Sequence, residues 1–240
     1  MAFTHSPKIV QDGLVFYVDP ANPRSYVSGS LDTFDLNNLS PTGTGSLKNG
    51  IDVNYSEANG VWDLDGADDY IEWLNITSAN PISFYGQNEF TGYYWAKPEA
   101  SGDTFQRIID KSNSSNGLNG WCLIVGGNPA GTHEIYFIIN NTHVLKYTGT
   151  DGYTYGEWNQ ITITKNGSTN KFYLNGGLMY TSTVSKDFPS TTTKMNIGSW
   201  PYSDTREFNG EIGPIILYNK ELTANEVLHN YNALKGRFGL

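Results

Sequence analysis

The sequence predicts an all-β fold, a sandwich of two antiparallel sheets with one C-terminal helix. Three observations carry this reading. Only 16% of the 240 residues are charged while 14% are aromatic, and 26 glycines are spread along the chain. That composition suits many short strands joined by polar turns and does not suit disorder. Runs rich in β-branched and aromatic residues recur between turn residues at spacings of about 8–12, the pattern of a sandwich. Finally, a helical period is convincing in one place only, near the C-terminus.

The strands expected in chain order are 13-GLVFYVD-19, 69-DYIEWLN-75, 89-EFTGYYWAKP-98, 105-FQRIIDK-111, 121-WCLIVGG-127 and 134-EIYFIIN-140. They continue with 143-HVLKYTG-149, 158-WNQITITKN-166, 171-KFYLN-175, 178-LMYTSTV-184, 194-KMNIG-198 and 211-EIGPIILYN-219. The Asn-Gly pairs in 165-KNGSTN-170 and 174-LNGG-177 favour hairpin turns, so 158–184 reads as a meander. Residues 20–60, rich in Pro, Gly, Asn and Ser, read as a long irregular excursion. In 221-ELTANEVLHNYNALKG-236, Thr223 and Glu226 form a capping box over a helix at 224–235. Val227, Leu228, Tyr231 and Leu234 make its apolar face, and Gly236 is placed as its stop. Neither a repeat nor a linker interrupts the chain. The expected organisation is an N-terminal arm (1–11), one sandwich with its helix (12–235) and a tail (236–240).

Charge and cysteine content narrow the function. A net charge of −9 offers nothing to a phosphate backbone, which argues against nucleic acid. No apolar run approaches the ~18 residues of a membrane span. The start, MAFTHSPKIVQDG, lacks the basic and apolar regions of a secretory signal, and the one cysteine, Cys122, can form no internal disulfide. Both features suit folding in a cytoplasm. Six N-x-S/T triplets, at Asn38, Asn54, Asn75, Asn113, Asn140 and Asn166, follow from an Asn-, Ser- and Thr-rich composition. His5, His133, His143 and His229 are scattered without metal-ligand spacing, and neither a G-x-S-x-G elbow nor an H-E-x-x-H helix is present.

The most concentrated polar cluster is 65-DGADD-69. Gly66 and the Asp side chains could make it simply a tight turn. Its carboxylates could equally offer oxygens to calcium, a hard ion that takes six to eight of them. Asp68 and Asp69 are adjacent, so on a strand they would face opposite ways and could not flank one glycosidic bond.

In order along the chain, 13-GLVFYVDPANPRSY-26, 64-LDGADDYIEW-73, 89-EFTGYYWAKP-98, 157-EWNQITITKNGSTNKFYLNG-176 and 207-EFNGEIGPIILYNKELTANEV-227 resemble the laminin G-like branch of the concanavalin A-like lectin/glucanase superfamily. The resemblance covers nearly the whole chain and is specific in combination. It implies a concanavalin A-like jelly-roll β-sandwich with a concave and a convex face. Glycanases of that superfamily carry an E-x-D-x-x-E strand, and no E-x-D occurs here, so no catalytic residue is assigned and the chain reads as a non-enzyme. Members often bind calcium at the sandwich rim. The resemblance makes Asp19 and Asp68 its candidate ligands, although Gly213 stands where relatives often show Asp.

The ends, SPKIVQDGLVFYVDPANPRSY and HNYNALKGRFGL, resemble stand-alone laminin G-like proteins of tailed bacteriophages. That implies a virion structural protein assembled in the host cytoplasm, as head decoration, tail or fibre part, oligomeric and in contact with other virion proteins. The alternative is an adhesin that binds host surface polysaccharide. Trp200, Tyr202, Asp204 and Arg206 in one loop, with Tyr153 and Tyr155 in another, are the candidates for contact with a glycan or a partner. Phe3, Ile9, Phe238 and Leu240 in the terminal segments are candidates for partner contact, being apolar groups that free tails would expose.

Overall fold

Alternation along the strands produces the two layers. The structure, a computed structural model, describes residues 8–37, 43–100, 104–113, 119–129, 132–202 and 205–240. In chain order the strands begin with β1 (Leu14–Val18), β2 (Asp32–Phe34), β3 (Thr44–Lys48), β4 (Asp52–Asn54), β5 (Val61–Asp65) and β6 (Tyr70–Ile76). Next come β7 (Glu89–Pro98), β8 (Gln106–Lys111), β9 (Trp121–Val125), β10 (Ile135–Ile139) and β11 (Thr142–Tyr147). The series closes with β12 (Asn159–Asn166), β13 (Thr169–Leu174), β14 (Gly177–Ser182), β15 (Thr193–Ile197) and β16 (Asn209–Tyr218), followed by helix α1 (Ala224–Leu234).

One sheet has the order β14-β13-β12-β7-β16-β5-β4, with β1 also paired to β16; the other runs β11-β10-β9-β8-β15-β6-β3-β2. All pairings are antiparallel. The expected meander is β12-β13-β14, with Asn175 and Gly176 both at positive φ in its second turn. The stretch expected to be irregular, 20–60, contains β2, β3 and β4. These strands are three to five residues long and lack a β-branched run, so they carry little of the usual strand signal.

Between the sheets lies the main core. Phe84, Phe90, Trp121, Phe137 and Phe188 meet there, with Phe90 stacked on Phe137 at 5.0 Å and edge-on to Phe84 at 4.7 Å. A second apolar layer covers the outer face of the first sheet. It combines Tyr93, Trp95, Trp158, Tyr173, Ile216 and Tyr218 with Leu222, Val227 and Phe238. Its cover is α1 and both chain ends.

The helix begins with the expected capping box. Thr223 N donates to Glu226 Oε2 at 2.8 Å, and Glu226 N donates to Thr223 Oγ1 at 3.3 Å. Val227 is buried and Tyr231 and Leu234 pack with it, but Leu228 turns outward, 44% exposed. The stop is also later than expected. A 3-10 turn, Lys235–Phe238, continues the chain, and Gly239 at φ 74° ends it in place of Gly236.

The terminal segments correct the expectation of free, partner-seeking ends. Ile9 is buried beside α1, where Asn230 Oδ1 accepts from Val10 N at 2.8 Å and Tyr218 donates its hydroxyl to the Val10 carbonyl at 3.1 Å. Phe238 stacks on Trp95 with ring centroids 3.9 Å apart. Gly213 makes this possible: a Cβ there would stand 3.1 Å from the Phe238 ring. Leu240 stays 47% exposed, and Phe3 lies outside the described residues.

Asp19 is corrected as a calcium ligand. Its carboxylate oxygens accept from Arg237 Nη1 at 2.8 and 2.9 Å, while Arg237 Nη2 donates to the Gly60 carbonyl at 2.7 Å. Asp19 also accepts from Ala21 N and from the Tyr17 hydroxyl, so its oxygens are already engaged. The tail is therefore a clasp, both apolar and ionic. Phe238→Ala should cost about 3–5 kcal/mol in urea unfolding, and removing 236–240 at least as much. An unchanged urea midpoint would show that the tail does not dock.

Candidate functional site

Register places a polar band on the outer face of the second sheet. Asp110 lies opposite Asn196, Asn196 opposite Glu72, and Glu72 opposite Ser46. Directly opposed residues share a face. The neighbouring Ile109, Ile197 and Ile71 belong to the main core, so the polar row faces out.

At the end of β15 the chain leaves this sheet. Gly198 sits at φ 90°, where a side chain would strain the backbone, and a Cβ would come within 2.1 Å of Leu64 Cδ2 and oblige that side chain to shift. Backbone bonds pin both ends of the following loop. Gly198 N donates to the Ile108 carbonyl at 3.1 Å, Phe208 N to the Gly198 carbonyl at 2.7 Å, and Arg107 N to the Arg206 carbonyl at 3.1 Å. Phe208 is fully buried in the core. With both ends fixed, the loop projects Trp200, Pro201 and Tyr202 over the polar band.

A cavity of about 410 Å³ results. Asn196, Ser199 and Glu207, each at most 3% exposed, form its floor. Trp200, Tyr202 and Tyr70 are its aromatic walls, and Asn49, Asp68 and Lys194 reach its rim. Asn196 Nδ2 donates to Ser199 Oγ at 2.9 Å, leaving Asn196 Oδ1 buried and without a donor among the described residues. Lys194 is paired to Glu72 at 3.0 Å. The Tyr202 hydroxyl lies 3.3 Å from Thr193 Oγ1, and the Arg206 guanidinium lies 5.5 Å from the Trp200 ring centre.

The 65-DGADD-69 segment is a turn that presents Asp68 to this rim. Asp65 Oδ1 accepts from Ala67 N at 2.8 Å and from Asp68 N at 3.4 Å, and Asp69 Oδ2 accepts from Asp65 N at 3.3 Å. Gly66 takes φ 73°. Asn49 Nδ2 donates to the Asp68 carbonyl at 2.6 Å, tying the turn to the neighbouring loop. Carboxylate oxygens of Asp65, Asp68 and Asp69 come within 4.8 Å of one another, and Asp19 is not among them. Burial raises the Asp69 carboxyl to about 6.

Of the residues singled out in the sequence, Trp200, Tyr202 and Asp68 converge on one cavity, with Arg206 against its tryptophan. Asp204 lies outside the described residues. Tyr153 is corrected as a contact residue: it is buried, and its hydroxyl lies 2.9 Å from both the Thr132 carbonyl oxygen and the Tyr155 hydroxyl. Tyr155 shares that bond to Thr132, so the pair anchors another loop and does not line this cavity. Asn196, Glu207, Asn49 and Lys194 escaped notice. Alternation within 194-KMNIG-198 was the available signal, since Met195 and Ile197 inward put Lys194 and Asn196 outward.

A family profile described as the concanavalin A-like lectin/glucanases superfamily matches residues 65–228. No curated protein matches significantly. Among solved structures, domain 4 of AbnA, an extracellular arabinanase of Geobacillus stearothermophilus in complex with arabinotriose, is similar with a TM-score of 0.65 at 15% identity. The match covers 91% of this chain and 98% of that one. The botulinum neurotoxin serotype D binding domain gives 0.64 at 15%, covering 92% of this chain and 51% of that one. A botulinum neurotoxin DC binding domain solved with SialylT gives 0.65 at 16%, over 93% and 52%. The chain thus spans about half the length of these neurotoxin domains.

Because the folded Asp69 keeps its proton to about pH 6 and an unfolded one releases it near 3.8, its stabilising contribution is complete below pH 3.8. It is lost as pH rises through 6. Asp69→Asn should therefore gain stability relative to the parent chain at pH 7.5 and not at pH 3.5, measured by urea midpoints. An equal gain at both pH values would contradict the raised carboxyl.

Proposed function

The chain belongs to the concanavalin A-like lectin/glucanase superfamily, and from that footing we propose that it is a non-catalytic glycan-binding module. The observation that carries this reading is the cavity between Trp200 and Tyr202. Its volume falls within the roughly 300–1,000 Å³ of small-ligand sites, and aromatic walls with a few fixed polar groups are the usual make-up of such sites. An aromatic face accepts the C–H face of a pyranose, while Asp68, Asn196 and Glu207 accept hydroxyl protons. The arabinotriose and SialylT complexes of the similar domains support a saccharide as ligand.

The setting we propose is the surface of a tailed-phage virion, where the module would touch both neighbouring subunits and host polysaccharide. The support is the resemblance of 6–26 and 229–240 to stand-alone proteins of such particles. With Ile9 and Phe238 packed inside, contacts with neighbours fall to exposed groups such as Leu240. Mass spectrometry of purified particles should find the chain at stoichiometric copy number; its absence from them would end the virion reading.

Trp200→Ala removes one wall of the cavity. Binding to a host polysaccharide should weaken about 10- to 100-fold, or roughly 1.4–2.8 kcal/mol, with the melting temperature shifted by less than about 2 °C. The parent chain should release no reducing ends. Binding unaffected by the substitution, or sustained release of reducing ends, would contradict the proposal.

A further inference from the structure

We infer that the free edge of β14 is a docking surface for a second copy of this chain, joined strand to strand about a two-fold axis. A strand at the end of a sheet turns half of its backbone N–H and C=O groups to solvent. Folded chains blunt such edges with short strands, charges, proline or a cover. The other edges of these two sheets are blunted in that way. β4 and β2 are three residues long and carry Asp52 and Asp32, and Thr33 of β2 is also bridged by Tyr26. β11 carries Lys146, which is exposed. The outer side of β1 is held by the segment at 35–36, where Asp35 Oδ1 accepts from Tyr17 N at 2.8 Å and Leu36 N donates to the Tyr17 carbonyl at 2.7 Å. β14 is six residues long, and its one such device is a bulge at Met179. Neither a charged side chain nor a proline occurs between Lys171 and Lys186.

The surroundings of the strand fit a like partner. β11 lies beneath β13 and β14, with the Tyr147 ring 5.4 Å from that of Phe172 and 5.8 Å from that of Tyr180, so it does not cover the edge. On the outer side, Leu178 lies opposite Tyr173 and is 55% exposed. Leu228 of α1, also exposed, stands beside Gly176 in the turn that opens the strand, where a Cβ would be 3.1 Å from its Cδ1. Apolar surface thus continues from the edge onto the helix. The bulge bends the start of the strand and leaves 180-YTSTV-184 for pairing, a stretch of β-favouring residues in which Tyr180, Thr181, Thr183 and Val184 are exposed. Antiparallel pairing about a two-fold axis sets this stretch against itself, so the same residues serve both sides and the contact closes as a dimer. A charged strand would meet its own like charges across that axis, and this one meets none. On a chain of net charge −9, it is therefore an edge on which two copies can approach without local repulsion. The flanking Lys171 is paired with Glu221 at 2.7 Å.

The test is sedimentation velocity on the full chain over a concentration series, with the parent, Thr181→Lys and Leu178→Lys. The parent should sediment as a dimer with a Kd of about 10 μM or below. Thr181→Lys sets two ammonium groups close to the axis and should weaken the dimer at least about ten-fold. Both substitutions are at exposed positions, so each melting temperature should stay within about 2 °C of the parent's. Amide hydrogen exchange of the parent, which needs no variant, should slow at the outward amides of 180–184 when the dimer forms. A parent that is monomeric at about 100 μM would overturn the proposal, whatever other strand the edge accepts. A dimer left intact by both substitutions, or one whose 180–184 amides exchange as fast as in the diluted monomer, would place the interface elsewhere and overturn it as well. Neither result bears on the glycan-binding reading, which rests on the other sheet.

Discussion

The return of the loop between β15 and β16 is the constraint on which the outer face of the second sheet depends. Phe208 is sunk in the core, and its amide bonds back to the Gly198 carbonyl at 2.7 Å. These contacts, with the Arg107 N–H on the Arg206 carbonyl, hold the ends of the loop that carries Trp200 and Tyr202 to the cavity. Loops on rigid frames commonly carry binding residues for this reason. The tryptophan and tyrosine of the cavity are thus positioned by groups that do not line it, above all Phe208 and Gly198, whose positive φ suits glycine.

The other sheet is organised by a different need. Its central strands β7 and β16 are buried along almost their whole length, since the sandwich core covers one face and the helix with both chain ends covers the other. A strand buried on both faces reads as a nearly continuous apolar run instead of an alternating one. Trp95 faces this second layer, and Phe238, Tyr231 and Gly213 meet it there. The stack of Trp95 and Phe238, with the Arg237–Asp19 pair beside it, makes the last residues part of the domain.

What could be read in advance follows from which signals are local. Alternation in 158–166 and the Asn-Gly turns after it prescribe β12-β13-β14, because each step involves near neighbours in sequence. The capping box at Thr223 and Glu226 is local in the same sense. Phe238 looked like a free tail because its partner Trp95 is remote in sequence and the space for the contact comes from Gly213, on a third segment. For the site, Trp200 and Tyr202 stood out as aromatics in a polar loop, and Asp68 as part of a conspicuous turn. Asn196 and Glu207 did not stand out. A polar residue at a strand or loop end is ordinary until the register of β8, β15 and β6 shows what surrounds it.

Tryptophan indoles offer the most direct check on the central claim, that saccharide binds between Trp200 and Tyr202. Trp62, Trp73, Trp95 and Trp121 are at most 1% exposed and Trp158 is 8% exposed, whereas Trp200 is half-buried at the cavity. In a two-dimensional amide NMR titration with a bound neutral oligosaccharide, one indole N–H resonance, assigned by its loss in Trp200→Phe, should move with the binding isotherm while the other five stay in place. Saturable binding that leaves the Trp200 indole unmoved, and shifts resonances elsewhere, would place the ligand outside this cavity and contradict the account.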